Sequence, residues 1–255
     1  MTTQLASPPR GPAFAMSTPP AGAGPGLGMN STGDMRLAAE HFAAAMLFLI
    51  AGSAGLVWVA PQLAAGLYLS PNVAGVTHLF TLGWLTTTIF GALYQLLPVA
   101  LGSAIRWPRV GHASFVTFVP GTALFAAGVA TGSNALHHVG IALLATGVVL
   151  AIANFAFTLA KTTRRGVTWY SVAIALGALA STLVLGVILL HNLHAGHLGD
   201  ARLRVLATHL HIALVGWALI MMLGMSQRLL PMFLLAHGVD TRWSSRALVL
   251  CLPER

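Results

Sequence analysis

Apolar residues along the chain are grouped into six long segments, and short stretches that carry the polar and basic residues separate them. A helix that crosses a bilayer needs about 20 mostly apolar residues, and each segment is close to that length or longer. Proline and glycine interrupt several segments, which membrane helices tolerate. The pattern predicts an all-α integral membrane protein with about six transmembrane helices, over residues 37–60, 73–98, 113–131, 136–160, 169–191 and 205–230.

The two ends of the chain differ from this apolar middle. Residues 1–35 are rich in Pro, Gly and Ala, which predicts a disordered cytoplasmic tail without a core of its own. Residues 36–246 form the predicted transmembrane helical domain. The apolar run that follows Arg246 stops at Pro253, too early to cross a membrane. Residues 247–255 are therefore predicted to be a truncated or short C-terminal tail.

Composition narrows the class of protein further. Only 7% of the 255 residues are charged, whereas a soluble domain carries roughly a quarter. The basic residues are scattered between the apolar segments, which argues against a nucleic-acid partner and for the lipid bilayer. Cys251 is the one cysteine, so the chain has no intrachain disulfide and no Cys-x-x-Cys-His site for covalent haem attachment.

The positions of the basic residues predict the orientation of the helices. Eleven of the thirteen Lys and Arg residues fall on the same side of the membrane as the N-terminus, and only Arg202 and Arg204 fall on the other. Loops rich in Lys and Arg stay on the cytoplasmic side. The N-terminus is therefore predicted to be cytoplasmic, in a multi-pass protein of the cell inner (plasma) membrane.

The second and sixth segments contain the same pattern at an offset of 133 residues. Seven of 21 aligned positions are identical, and they include the scarce residues His, Trp and Pro. If the first segment also corresponds to the fifth, the repeating unit is four helices and both copies have the same orientation. We therefore predict a partial four-helix internal repeat. The aligned pairs include His78 with His211, Gly83 with Gly216, Trp84 with Trp217, Gly91 with Gly224 and Pro98 with Pro231.

On a regular α-helix, Gly83, Trp84, Gly91 and Pro98 would lie opposite His78 and form a packing face. The face of the histidine itself would continue with apolar side chains. An imidazole above an apolar strip suits a flat, hydrophobic macrocycle that lies along the helix.

Histidines are concentrated on the outer side of this topology. Ionisable residues inside a membrane span are costly and are candidates for function. His78 and His211 form a matched pair at similar depth, which makes them the leading candidates for metal ligation. His209 is two residues from His211, so the two side chains diverge by about 200° and would serve different sites. The outer histidines are His78, His137, His138, His191, His194, His197, His209 and His211.

The sixth segment resembles the His-x-His helix of subunit I in haem–copper oxidases. The resemblance lies in the run from His209 through His211 to Gly216 and Trp217, and it is closest to the C-type cytochrome c oxidases and the nitric oxide reductases. It implies that His78 and His211 are the axial ligands of a b-type haem. It also implies that His209 is a candidate ligand of a second haem.

The resemblance covers two helices of a family that has about twelve, so it describes a shortened relative. The copper site of that family uses three further histidines on two middle helices. His137 and His138 resemble its adjacent copper-binding pair, but they begin a helix and lack the third ligand; an interfacial pair is the equal alternative.

The sequence therefore predicts a membrane protein that binds haem b, with a second haem or copper as further cofactors. Its role would be electron transfer or an oxidase-like reaction, with a c-type cytochrome or a quinol as electron donor. An enzyme of this kind would resemble cytochrome c oxidase or nitric oxide reductase. The alternative is a copper-binding or nitric-oxide-response membrane protein without terminal oxidase activity. Both of these functions are compatible with a homo- or hetero-oligomer.

Overall fold

A computed structural model describes residues 32–235 except residue 164, and all regular secondary structure in this part of the chain is helical. Six of its helices are long and apolar enough to cross a membrane. A short helical segment, Ala60–Ala64, follows the first of them. The six are α1 (Thr32–Trp58), α2 (Pro71–Leu101), α3 (Pro108–Thr131), α4 (Asn134–Lys161), α5 (Val167–Ala195) and α6 (Gly199–Phe233).

Local sequence explains where these helices begin and end. Ser70 accepts a hydrogen bond from the Val73 amide and caps α2, which opens on a proline. Ser133 caps α4 in the same way. Gly102 and Gly132 adopt left-handed conformations at the ends of α2 and α3, with φ of 65° and 70°. The helices therefore extend a few residues beyond the apolar segments at several ends.

The prediction of an all-α chain with six helices long and apolar enough to cross a membrane is confirmed over the described residues. The predicted tails can be compared with the structure only in part, because residues 1–31 and 236–255 lie outside the described residues. The structure begins α1 at Thr32, so the last residues of the predicted disordered tail, 32–35, belong to this helix.

Glycines allow α3 and α4 to pack at very short distance. A Cβ on Gly140 would lie 2.2 Å from the backbone nitrogen of Phe125, and one on Gly128 would lie 2.3 Å from that of His137. Gly121 makes a similar approach to the backbone of α4. Small residues let membrane helices come this close and gain van der Waals contact. The antiparallel α3–α4 pair is therefore a compact wall of the bundle.

The predicted packing face of α2 is confirmed for its glycines but not for its tryptophan. Gly83 packs on Phe48 of α1, and Gly91 packs on His41. Trp84 is 39% exposed, so it does not belong to the buried face.

In the same part of the chain, α2 turns as a wider π-helix from Leu79 to Thr86. The Thr86 hydroxyl donates to the carbonyl of Thr81, five residues earlier, at 2.8 Å. A π-helix rotates less per residue than an α-helix, so positions along it depart from α-helical spacing.

A second π-helical stretch lies in α6 from Ile212 to Leu219. Each stretch begins directly after one of the two aligned histidines, His78 or His211. The indole nitrogen of Trp217, within the second stretch, donates to the Thr86 hydroxyl at the end of the first, at 3.2 Å. This hydrogen bond joins α2 to α6 inside the bundle.

Candidate functional site

An apolar cavity of about 360 Å³ lies among α2, α3, α4, α5 and α6. Its walls are mostly leucine and other aliphatic side chains together with several threonines, and the Thr86–Trp217 pair also lines it. Sites for organic ligands and cofactors commonly have volumes of about 300–1,000 Å³, apolar walls and a few polar groups. Two of the polar groups that line this cavity are the imidazoles of His78 and His209.

His78 is held in one orientation by the turn of α2 that precedes it. Its Nδ1 lies 2.7 Å from the carbonyl oxygen of Ala74. Because a carbonyl oxygen only accepts, Nδ1 carries the proton, and Nε2 keeps the lone pair that a metal needs. The Phe125 ring meets the imidazole edge-to-face at a centroid distance of 5.1 Å. The local structure thus fixes both the tautomer and the position of a ligand nitrogen.

His209 enters the cavity from α6 and lies against α5. Its Cε1 atom would be 3.3 Å from a Cβ on Gly186, so the absence of a side chain there makes room for the ring. Its Nδ1 is buried beside the Thr182 carbonyl without meeting it in good hydrogen-bonding geometry. His78 and His209 both line this cavity, from α2 and α6. The structure therefore brings these two imidazoles together on one cavity.

His211 is the predicted partner of His78, and the structure does not bring the two together. The His211 side chain is exposed and does not line the cavity. The two histidines of the His-x-His pattern point in directions that differ by about 200°, so only one of them can face α2. The sequence showed this divergence but not which histidine faces inward. The structure places His209 there.

The predicted copper pair, His137 and His138, lies at the start of α4. The two rings are 4.3 Å apart between centroids. His137 is buried against Gly128, whereas His138 is exposed and its Nδ1 donates to the Asn134 carbonyl. Over residues 32–235 without residue 164, no group of three or more His, Cys, Asp or Glu side chains is arranged to hold a metal ion. The third copper ligand that the resemblance would require is therefore not provided by these residues.

His191 and His197 also approach each other, with ring centroids 5.1 Å apart at the end of α5. Both are exposed, and neither lines the cavity. This contact is separate from the pair formed by His78 and His209.

Sequence reasoning gave no role to His41, which the structure buries completely in α1. Its Nδ1 donates to the Leu37 carbonyl at 2.8 Å, and its buried Nε2 has no hydrogen-bond partner in the described part of the chain. The rings of Tyr94 and Phe115 lie within 5.2 and 4.8 Å of it. His41 has no counterpart in the aligned repeat, so nothing in the sequence indicated that it is buried.

The cavity combines largely apolar walls with two imidazoles that come from different helices. Neutral imidazole nitrogens are common metal ligands, and apolar walls with a few polar groups are typical of sites for organic ligands. Comparison with protein-family models, with curated proteins and with solved structures finds no match to this chain.

Proposed function

We propose that this protein binds b-type haem in the cavity between His78 and His209 and serves in electron transfer within a membrane. The observation that carries the proposal is the pair of imidazoles on one apolar cavity, with His78 fixed through Ala74. Haem would supply a one-electron iron couple at this place. The chain would bind and orient it, and the apolar walls would exclude water.

His78 and His209 would both hold the haem, and the haem would supply one-electron transfer rather than reduction of dioxygen or nitric oxide. The resemblance to subunit I of haem–copper oxidases is consistent with the helices that contribute the two histidines, but the ligand from α6 is His209 in our proposal. A c-type cytochrome or a quinol remains the proposed electron donor.

We also propose that the chain contains an internal repeat and that its N-terminus is cytoplasmic. The π-helical stretches begin at Leu79 and Ile212, positions that differ by the 133 residues of the sequence pattern, and this supports an ancestral repeat. The excess of basic residues on one side supports a cytoplasmic N-terminus in the inner membrane.

A set of three histidine variants tests the proposal. Purified protein should give the reduced-minus-oxidised absorption spectrum of low-spin haem b. The H78A and H209A variants should each lose this spectrum, because each lacks one of the two histidines that would hold the haem, whereas H211A should keep it.

H211A is also the matched control, since it changes the same residue type on the same helix. Wild-type protein without haem would overturn the proposal. A spectrum that survives in H209A and disappears in H211A would instead assign the second ligand to His211.

A further inference from the structure

Arg202 is a charged residue on the wall of this largely apolar cavity. It lies near the start of α6, and its side chain is exposed while also lining the cavity. Tyr68, from the segment that precedes α2, lines the same cavity and is 66% exposed. Because both side chains are exposed, they lie where the cavity opens to the surface of the helix bundle.

The register of α6 places Arg202 on the same face as His209. Leu206 lies between them, four residues after Arg202 and three before His209, and it also lines the cavity. Spacings of four and three residues keep side chains on one face of an α-helix. Seven residues correspond to about 10 Å along the axis. The guanidinium is therefore about two turns from the imidazole along a single wall.

In the described ranges 32–163 and 165–235, no ion pair joins Arg202 to a carboxylate. The ion pairs found there join Glu40 to Arg36 and to His112, on α1 and α3. A guanidinium presents a fork of N–H donors that matches a carboxylate. At the mouth of an apolar cavity, this fork can select a ligand that has an apolar body and an anionic end.

We infer that Arg202 binds a carboxylate of the ligand in this cavity. The inference rests on the proposed function, in which the ligand is haem and the carboxylates are its two propionates. Arg202 would then set the direction in which haem enters, with the propionate edge outward and the ring between His78 and His209. The positive charge of Arg202 would also destabilise oxidised haem relative to reduced haem, because the oxidised form carries one more positive charge. The midpoint potential would therefore be higher with Arg202 than without it.

Binding measurements with two forms of the cofactor test this assignment. The full-length protein without cofactor is titrated with haem b and with haem b dimethyl ester, whose propionates are uncharged. We expect wild-type protein to bind haem b about tenfold more tightly than the ester, since a charge-assisted hydrogen bond is lost with the ester. R202Q should bind the two forms equally and show a lower midpoint potential, and R202K should be intermediate.

R204Q is the matched control, because Arg204 is on the same helix but does not line the cavity. It should retain the wild-type preference for haem b. If R202Q keeps both the preference and the wild-type potential, Arg202 does not bind the propionates and instead faces lipid phosphate or water. That result leaves the histidine-bound spectrum of the wild-type protein intact, whereas failure of the proposed function would remove the spectrum itself.

Discussion

Gly186 lies directly against the His209 ring, at the point where α5 passes α6. A Cβ at this position would come within 3.3 Å of Cε1 and 3.9 Å of Nδ1 of the imidazole. The first distance is tighter than ordinary van der Waals contact, so a larger side chain would have to displace the ring. The orientation of His209 thus depends on a residue without a side chain on a different helix.

We predict that G186V loses the low-spin haem spectrum while the protein still folds. The branched side chain would push the His209 ring away from the cavity, and the measurement is haem content together with the absorption spectrum. G177V is the control, because Gly177 is on the same helix and a Cβ there would meet no neighbouring atom of the described residues within 4 Å. An unchanged spectrum in G186V would argue against His209 as a ligand in this orientation.

At the scale of helices, the contact between α3 and α4 depends on backbone approach rather than on side chains. The position of Gly140 faces the Phe125 backbone nitrogen and Cα, at 2.2 and 2.6 Å from a Cβ. Backbone atoms cannot rotate out of the way as a flexible side chain can. A single methyl group would therefore separate the two helices.

We predict that G140A destabilises the protein by about 1–3 kcal/mol, the usual range for overpacking. G177A should be neutral or stabilising by about 0.5–1 kcal/mol, because its methyl group enters open space and alanine favours a helix. The measurement is the free energy of unfolding in detergent micelles. Equal stability of the two variants would contradict the close packing of α3 on α4.

The π-helical stretches are the feature of the helices that sequence reasoning missed. Regular α-helical spacing placed Trp84 on the packing face with Gly83, yet Trp84 is 39% exposed, whereas its aligned counterpart, Trp217, is 2% exposed. The hydrogen bond from Trp217 to Thr86 accounts for the inward position of one copy. Two residues with the same sequence surroundings thus have different environments because they pack on different helices.

At the scale of the whole molecule, the basic residues give a prediction about topology. With a cytoplasmic N-terminus, the α3–α4 connection at Ser133 lies outside and the α4–α5 connection at Thr163 lies inside. We predict that S133C reacts with a membrane-impermeant maleimide in intact cells, whereas T163C reacts only after the cells are opened. Both changes are made together with C251S, which removes the native cysteine. The reverse labelling pattern would contradict the proposed orientation.

The sequence by itself determined the six membrane-spanning helices, because the length of apolar segments is a local property that the bilayer thickness sets. It also indicated that histidines of α2 and α6 are the residues to consider. Only the tertiary structure decided that His209 rather than His211 faces His78, because that choice depends on how α6 rotates against α5. The tertiary structure likewise decided that Arg202 lines the same cavity, because this cavity forms only where α2, α3, α4, α5 and α6 meet.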